Sequence, residues 1–153
     1  MSLYNNCSET TASVPTQAST LRIGGYVLVG LNPCKVVEYS SSGTGKHGKC
    51  KIHFICQDLF STKKRHEFAV SSTKNIEVPV VEVVDYQLIN IDEEGYLSLL
   101  DKKGVLYTSL ALPGNKDLSQ TITNYFNLDK TLQLSVLKSM GMEEVIQFKV
   151  LDG

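Results

Sequence analysis

Residues Lys49–Gln57 read KCKIHFICQ and alternate along the chain. Cys50, Ile52, Phe54 and Cys56 fall on one face of an extended segment, and Lys51, His53 and Gln57 fall on the other. A period of two is that of a half-buried β-strand, because successive side chains leave a strand on opposite sides. Short runs of the same kind lie on both sides of it. Tyr26–Val29 sits between Gly24-Gly25 and Gly30, Cys34–Tyr39 follows the turn dipeptide Asn32-Pro33, and Glu67–Val70 and Ile76–Val78 continue the pattern. Five short strands with frequent turn residues predict a small barrel. Pro79 inside IEVPVVEVV has no N–H for a sheet ladder, so it breaks that run and marks a domain boundary near residues 79–82.

Beyond Pro79 the alternation resumes in Tyr86–Ile91, Tyr96–Leu100 and Val105–Thr108, joined by turns at Glu94-Gly95 and Lys103-Gly104. Asp117–Asn127 then carries Leu118, Ile122 and Tyr125/Phe126 at helical spacing, with Asp117 as the expected N-cap. Thr131–Leu137 and Val145–Val150 return to strand periodicity. Three strands, one helix and two strands fit a five-stranded Greek-key barrel of the oligonucleotide/oligosaccharide-binding (OB) kind. The expected fold is mostly β, with two tandem small barrels and one short helix. Residues 1–20 are rich in Ser, Thr, Asn and Gln without apolar periodicity, and read as a mobile tail. The expected domains are therefore 21–81 and 82–153.

The chain has 153 residues, 42% of them hydrophobic and 20% charged, enough apolar content for packed cores. Its net charge of −1 excludes a uniformly basic nucleic-acid binder, but the charge is divided unevenly. Residues 1–81 hold nine Lys/Arg against five acids, and residues 82–153 hold six against eleven. A basic first half and an acidic second half suggest one end that meets a polyanion. The longest apolar run, Val78–Val84, is interrupted by Glu82 and too short to span a membrane. The N-terminal residues carry no secretory or myristoylation pattern, and the four cysteines follow no secreted spacing. The expected compartment is the cytoplasm, with no membrane partner.

One segment carries chemical information. Residues 40–51 read SSSGTGKHGKCK and join two strands, with Gly43, Gly45 and Gly48, four basic or titratable side chains and no acid. Glycines on either side leave Lys46 at the tip of a connection with little side-chain cover. Gly43–Gly48 matches G-x-G-x-x-G by letter, but that motif must open a helix and here it opens a strand. A phosphate-binding P-loop fails as well, since Ser40 stands where its first Gly belongs and His47 where Ser/Thr belongs. Cys50, His53 and Cys56 are three apart, so on a strand His53 points away from the two cysteines and the three cannot converge on a metal. His66, in KKRHEF, reads as part of a solvated basic turn. No convergent acid, base and nucleophile is present, so neither a catalytic nor a metal site is expected.

Thr44–Gly48 reads TGKHG, preceded by NPCKVVEYS at 32–40 and followed by KCKIHF at 49–54. With Asp58-Leu59-Phe60, Val78-Pro79, Tyr86-Gln87-Leu88-Ile89, GYLSLLD at 95–101 and Leu110–Pro113, this closely resembles eukaryotic translation initiation factor 5A, a family related to bacterial elongation factor P. The resemblance runs from about Leu21 to Val150 and implies an SH3-like N-terminal barrel and an OB-fold C-terminal domain. It implies that Lys46 becomes hypusine within the loop Gly43, Thr44, Gly45, His47 and Gly48. Deoxyhypusine synthase would transfer the aminobutyl group of spermidine, deoxyhypusine hydroxylase would finish the residue, and no other cofactor is needed. The modified factor would bind the ribosome, position peptidyl-tRNA at stalling sequences such as proline runs, and assist termination. Arg22, Lys35, Lys49 and Lys51 would contact RNA phosphates. The family usually has Lys at the place of Gly43 and more basic residues at those of Ile23, Val29 and Asn32, which implies a thinner basic face here. The rival from another class is a generic single-stranded RNA-binding OB module independent of Lys46, using the rings of Tyr86, Tyr96 and Tyr107.

Overall fold

The computed structural model describes residues 12–43, 50–61 and 64–151. The chain is mostly β and divides into two compact units. One is Met1–Val81 with Ser139–Met142, and the other is Glu82–Lys138 with Glu143–Gly153.

The first unit contains β1 (Ser13–Gln17), a 3₁₀ turn (Ala18–Thr20), β2 (Tyr26–Val29), β3 (Asn32–Ser42), β4 (Lys51–Asp58), β5 (Arg65–Ser71) and β6 (Asn75–Pro79). Strands β2-β3-β4-β5 form an antiparallel meander, and β1 pairs with β6. β4 is the stretch KCKIHFICQ shifted by about one residue. Its inward residues Ile52, Phe54 and Cys56 pack with Val27, Cys34 and Val36 in one core, and Ala18 and Leu21 close it. Phe54, fully buried, packs at a tilt against Phe68 of β5, ring centroids 5.2 Å apart, and against Tyr39 of β3 at 6.2 Å. The register of β3 on β4 shifts between Val36 and Glu38, a bulge that turns Glu38 outward and lays Tyr39 over Phe54.

The expectation of a mobile tail through residue 20 is corrected for residues 13–20, which are ordered structure. Ser13–Gln17 is a strand registered on Asn75–Pro79, and Ala18 is fully buried beneath it. A two-stranded ribbon needs backbone pairing rather than an apolar stripe, so its polar side chains gave no periodic signal. Residues 1–11 lie outside the described part of the chain.

The second unit contains β7 (Val81–Ile91), β8 (Leu97–Leu100), β9 (Leu106–Tyr107), α1 (Lys116–Asn127), β10 (Thr131–Ser139) and β11 (Met142–Leu151), with sheet order β11-β10-β7-β8-β9. Its core holds Leu88, Leu97, Leu99, Ile122, Leu132, Leu134, Val136 and Val145. Asp92 and Asp101 close the two tight turns. The Oδ1 of Asp92 accepts from the Glu94 and Tyr96 N–H groups, and that of Asp101 accepts from those of Lys103 and Val105. Gly95 and Gly104 supply the positive φ that each turn requires, +89° and +84°. The helix is capped by Asn115, whose side chain accepts from the Leu118 N–H at 3.1 Å. The expected cap, Asp117, lies inside the first turn, where its charge suits the helix dipole.

Candidate functional site

The glycine-rich connection belongs to the β3–β4 hairpin. Ser42 is registered on Lys51, so eight residues, 43 to 50, join the last paired positions. Gly43 is exposed and nothing lies within 4 Å of where its Cβ would be, so the chain leaves the barrel there without side-chain cover. At the far side the Ser72 N–H donates to the Cys50 carbonyl at 2.8 Å and anchors the return. The tip itself, Thr44, Gly45, Lys46, His47, Gly48 and Lys49, lies outside the described residues. Both of its ends stand on a rigid scaffold, since β4 is paired on both sides.

The outward face of the meander can be read as cross-strand rows, because directly registered residues share a face. Ser42, Lys51 and Ser71 form the row beside the connection. Ser40, His53 and Ala69 come next, then Glu38, Ile55 and Glu67, and finally Tyr26, Lys35, Gln57 and Arg65. Lys51 and Lys35, two of the expected RNA contacts, are both exposed. They are not one patch. Six residues of strand separate the Lys51 and Gln57 rows, about 20 Å at roughly 3.3 Å per residue. The carboxylates of Glu38 and Glu67 lie between them, and His53 Nε2 sits 3.6 Å from Glu67 Oε1. Each basic end therefore acts alone at physiological salt, where screening sets in over ~8 Å. Arg65 joins Lys35 in the distal row and was missed in the sequence because register, not composition, puts the two on one face. Arg22 turns back on its own chain, its Nη1 donating to the Ser19 and Leu21 carbonyls at 2.8 and 3.0 Å. Part of its role is to hold the 3₁₀ turn.

The cysteines divide by burial. The Cys34 thiol is pushed up to about 12, first by burial and then by the nearby Asp58 and Cys56. Burial likewise raises Cys56 to about 11. Both thiols are protonated at neutral pH and make poor nucleophiles. His66 lies on β5, registered on Cys56, with its ring turned inward toward Asp58. The solvated-turn reading of this residue is thus corrected: in HEFAV the alternation of His66, Phe68 and Val70 was the available signal.

In the second unit the rings proposed as a stacking platform are largely used up. Tyr86 is 6% exposed and stacks on Tyr107 at 5.6 Å with 14° between the planes. Lys138 covers both, its Nζ about 5 Å from each ring centroid. That ammonium donates to Tyr86 Oη at 2.7 Å and meets Glu143 at 3.2 Å. Burial works against its charge, but these partners outweigh burial and leave the Lys138 pKa raised. Only Tyr96, 47% exposed, is free to stack on a base. One ring in an acidic domain does not make the sequence-tolerant platform that generic single-stranded binding uses.

Two family models match. Residues 8–74 match "Translation initiation factor 5A-like, N-terminal" and residues 80–149 match "Eukaryotic elongation factor 5A hypusine, DNA-binding OB fold". Among characterised relatives, eukaryotic translation initiation factor 5A-1 of Medicago sativa is 44% identical over 139 residues, covering 91% of this chain and 86% of that one. The Arabidopsis thaliana protein of the same name is 45% identical over 135 residues, covering 88% and 85%. The solved structure of a translation initiation factor 5A family protein from Naegleria fowleri superposes with a TM-score of 0.83 at 33% identity, covering 90% of this chain and 98% of that one. The first barrel is therefore the SH3-like N-terminal domain and the second the OB-fold, and the chain belongs to the translation initiation factor 5A family.

Proposed function

We propose that this translation factor acts on the ribosome through Lys46. Deoxyhypusine synthase and deoxyhypusine hydroxylase convert the lysine to hypusine, with spermidine as the aminobutyl donor. The loop tip then reaches the acceptor end of peptidyl-tRNA and promotes peptide-bond formation at stalling sequences, and it serves termination as well. The observation that carries this reading is TGKHG at the centre of the β3–β4 connection, in a chain of this family. Hypusine lengthens a cationic side chain and adds a second amine, so its reach into a crevice of RNA backbone grows without new protein structure. The residue orients a reactant instead of transferring a proton or electron pair. Orientation alone lowers a barrier by up to roughly 7–11 kcal/mol.

Lys49 and Lys51 follow Lys46 closely in the sequence and hold phosphates, which positions the factor without reading sequence. Lys35 meets RNA from the other end of the face, in the row it shares with Gln57 and Arg65, and Arg22 adds a contact from the segment before β2. The protein works in the cytoplasm and is not an enzyme. Among the described residues no helix is long and apolar enough to cross a membrane. Peptide mass spectrometry of protein from its native host tests the modification directly. The hypusine mass increment is expected on Lys46 alone, and finding it on Lys49 or Lys51 with Lys46 bare would overturn the assignment.

A further inference from the structure

Three strands of the first barrel bring unlike side chains to one point. Cys34 on β3 is registered on Asp58 at the end of β4, and His66 on β5 is registered on Cys56, two residues before Asp58. One ligand-type atom from each of Cys34, Asp58 and His66 lies within 4.8 Å of the others. Cys34 is fully buried and Asp58 is 7% exposed. Asp58 is held in place, since the Phe60 N–H donates to its Oδ1 at 2.9 Å, and this leaves Oδ2 facing His66 Nε2 at 3.5 Å. That imidazole nitrogen is buried and has no hydrogen-bond partner, alone among the buried side-chain N and O atoms of the described residues. A simple His–Asp ion pair would place an N–H on the carboxylate. Here the nitrogen is aimed into the cluster without making that bond.

We propose that Cys34, Asp58 and His66 form a binding site for a zinc-class divalent cation. Sulfur, imidazole nitrogen and one carboxylate oxygen are the donors that zinc takes, whereas magnesium and calcium require all-oxygen sets. Bond lengths of about 2.0–2.3 Å at tetrahedral angles put neighbouring ligand atoms roughly 3.3–3.6 Å apart. The Nε2–Oδ2 separation of 3.5 Å already has that value, and the Cys34 Sγ stands within 4.8 Å of a ligand atom on each of the two residues. Binding forms a metal–sulfur bond and releases the thiol proton to solvent. Thiolate and carboxylate together neutralise the divalent ion, so no net charge is left in a buried place. The His66 side chain is 23% exposed and marks the side from which the ion enters and a water completes the fourth position. The ion would tie β3, β4 and β5 together at the end of the sheet away from the glycine-rich connection.

The probe is cobalt(II), added to the full reduced chain after treatment with a chelator. One ion per chain is expected, with a thiolate-to-cobalt charge-transfer band and the strong visible bands of tetrahedral cobalt, both displaced by zinc. His66→Gln and Asp58→Asn should each weaken binding by more than the roughly 10–100-fold that second-shell changes cause. Cys34→Ser should abolish the charge-transfer band, while Cys7→Ser, Cys50→Ser and Cys56→Ser keep it. His66 is partly exposed, so His66→Gln stays folded even if Cys34→Ser does not. Saturating zinc should raise the Tm of the wild type but not of His66→Gln. The weak spectrum of six-coordinate cobalt without a sulfur band would overturn the proposal. So would unchanged affinity in His66→Gln, or a band lost with Cys50 or Cys56 in place of Cys34.

Discussion

Phe54→Ala removes the largest fully buried side chain of the first barrel. Phe54 lies at the middle of β4, between Phe68 and Tyr39, so its ring is the contact that holds both neighbouring strands against the one that carries the glycine-rich connection. Deleting a buried Phe costs about 3–5 kcal/mol, from lost transfer energy and from the cavity left behind. The neighbours cannot collapse into that space easily, because Ile52 and Cys56 on the same strand are themselves packed in the core. The expected value therefore lies toward the upper end. The cores of the two units share no residue. Native-state hydrogen exchange read by NMR should show amides of β3, β4 and β5 losing roughly 10²–10⁴-fold in protection, the range to which 3–5 kcal/mol converts. Amides around Leu97, Leu134 and Val145 should keep theirs. Equal acceleration in both cores would refute the separation into two units, and a change below about tenfold would refute Phe54 as the anchor of the hairpin.

Two further outcomes test the electrostatics. If RNA meets the face at the connection, Lys51→Gln should lower the salt slope of ribosome binding by roughly 0.7–0.9, as one lost phosphate contact does. The paired change Lys35→Gln and Arg65→Gln, about 20 Å away, should then lower it less, and the reverse order would move the contact to the distal row. The buried thiols give an alkaline signature. Below pH 9, the ordinary value of 9.0, both folded and unfolded chains keep these protons and stability does not depend on them. Between there and about 11 only the unfolded chain loses the Cys56 proton, so stability falls by up to ~1.4 kcal/mol per pH unit for that thiol. Cys56→Val should make the fall of urea-unfolding stability in that window shallower by up to ~1.4 kcal/mol per pH unit, with Cys34 keeping its own share, and an unchanged slope would show that Cys56 ionises freely in the folded state.

The alternation of β4 and the 3.6-residue spacing of α1 were legible in the sequence because each element buries one face. Ile52, Phe54, Cys56 and Ile122 are indeed core residues. The β1 half of the ribbon was not legible: Ile76 and Val78 of β6 pack against the core, but β1 is held by backbone pairing and its neighbours Ala18 and Leu21, just beyond it, are the ones buried there. The lysine loop stood out by its glycines and missing acids, a local signal. The division of the basic face was hidden, because it depends on which residues of β3, β4 and β5 lie opposite one another. The same long-range register brings Cys34, Asp58 and His66 together from positions up to 32 apart in the chain. Spacing of cysteines and histidines along one strand could exclude Cys50, His53 and Cys56 as joint ligands, but it carried no information about partners on other strands.

The most direct test of the proposed function is peptide synthesis through a proline run at saturating factor. Modified wild type, unmodified wild type and Lys46→Ala are compared on ribosomes stalled at the same codon. If the loop positions peptidyl-tRNA, Lys46→Ala binds ribosomes more weakly but still binds, since Lys49 and Lys51 remain, and no concentration of it restores synthesis. A generic RNA binder would lose one phosphate contact, and its activity would recover at saturation. Stimulation by modified wild type alone is the predicted result, and full activity of Lys46→Ala at saturation would contradict the role given to Lys46.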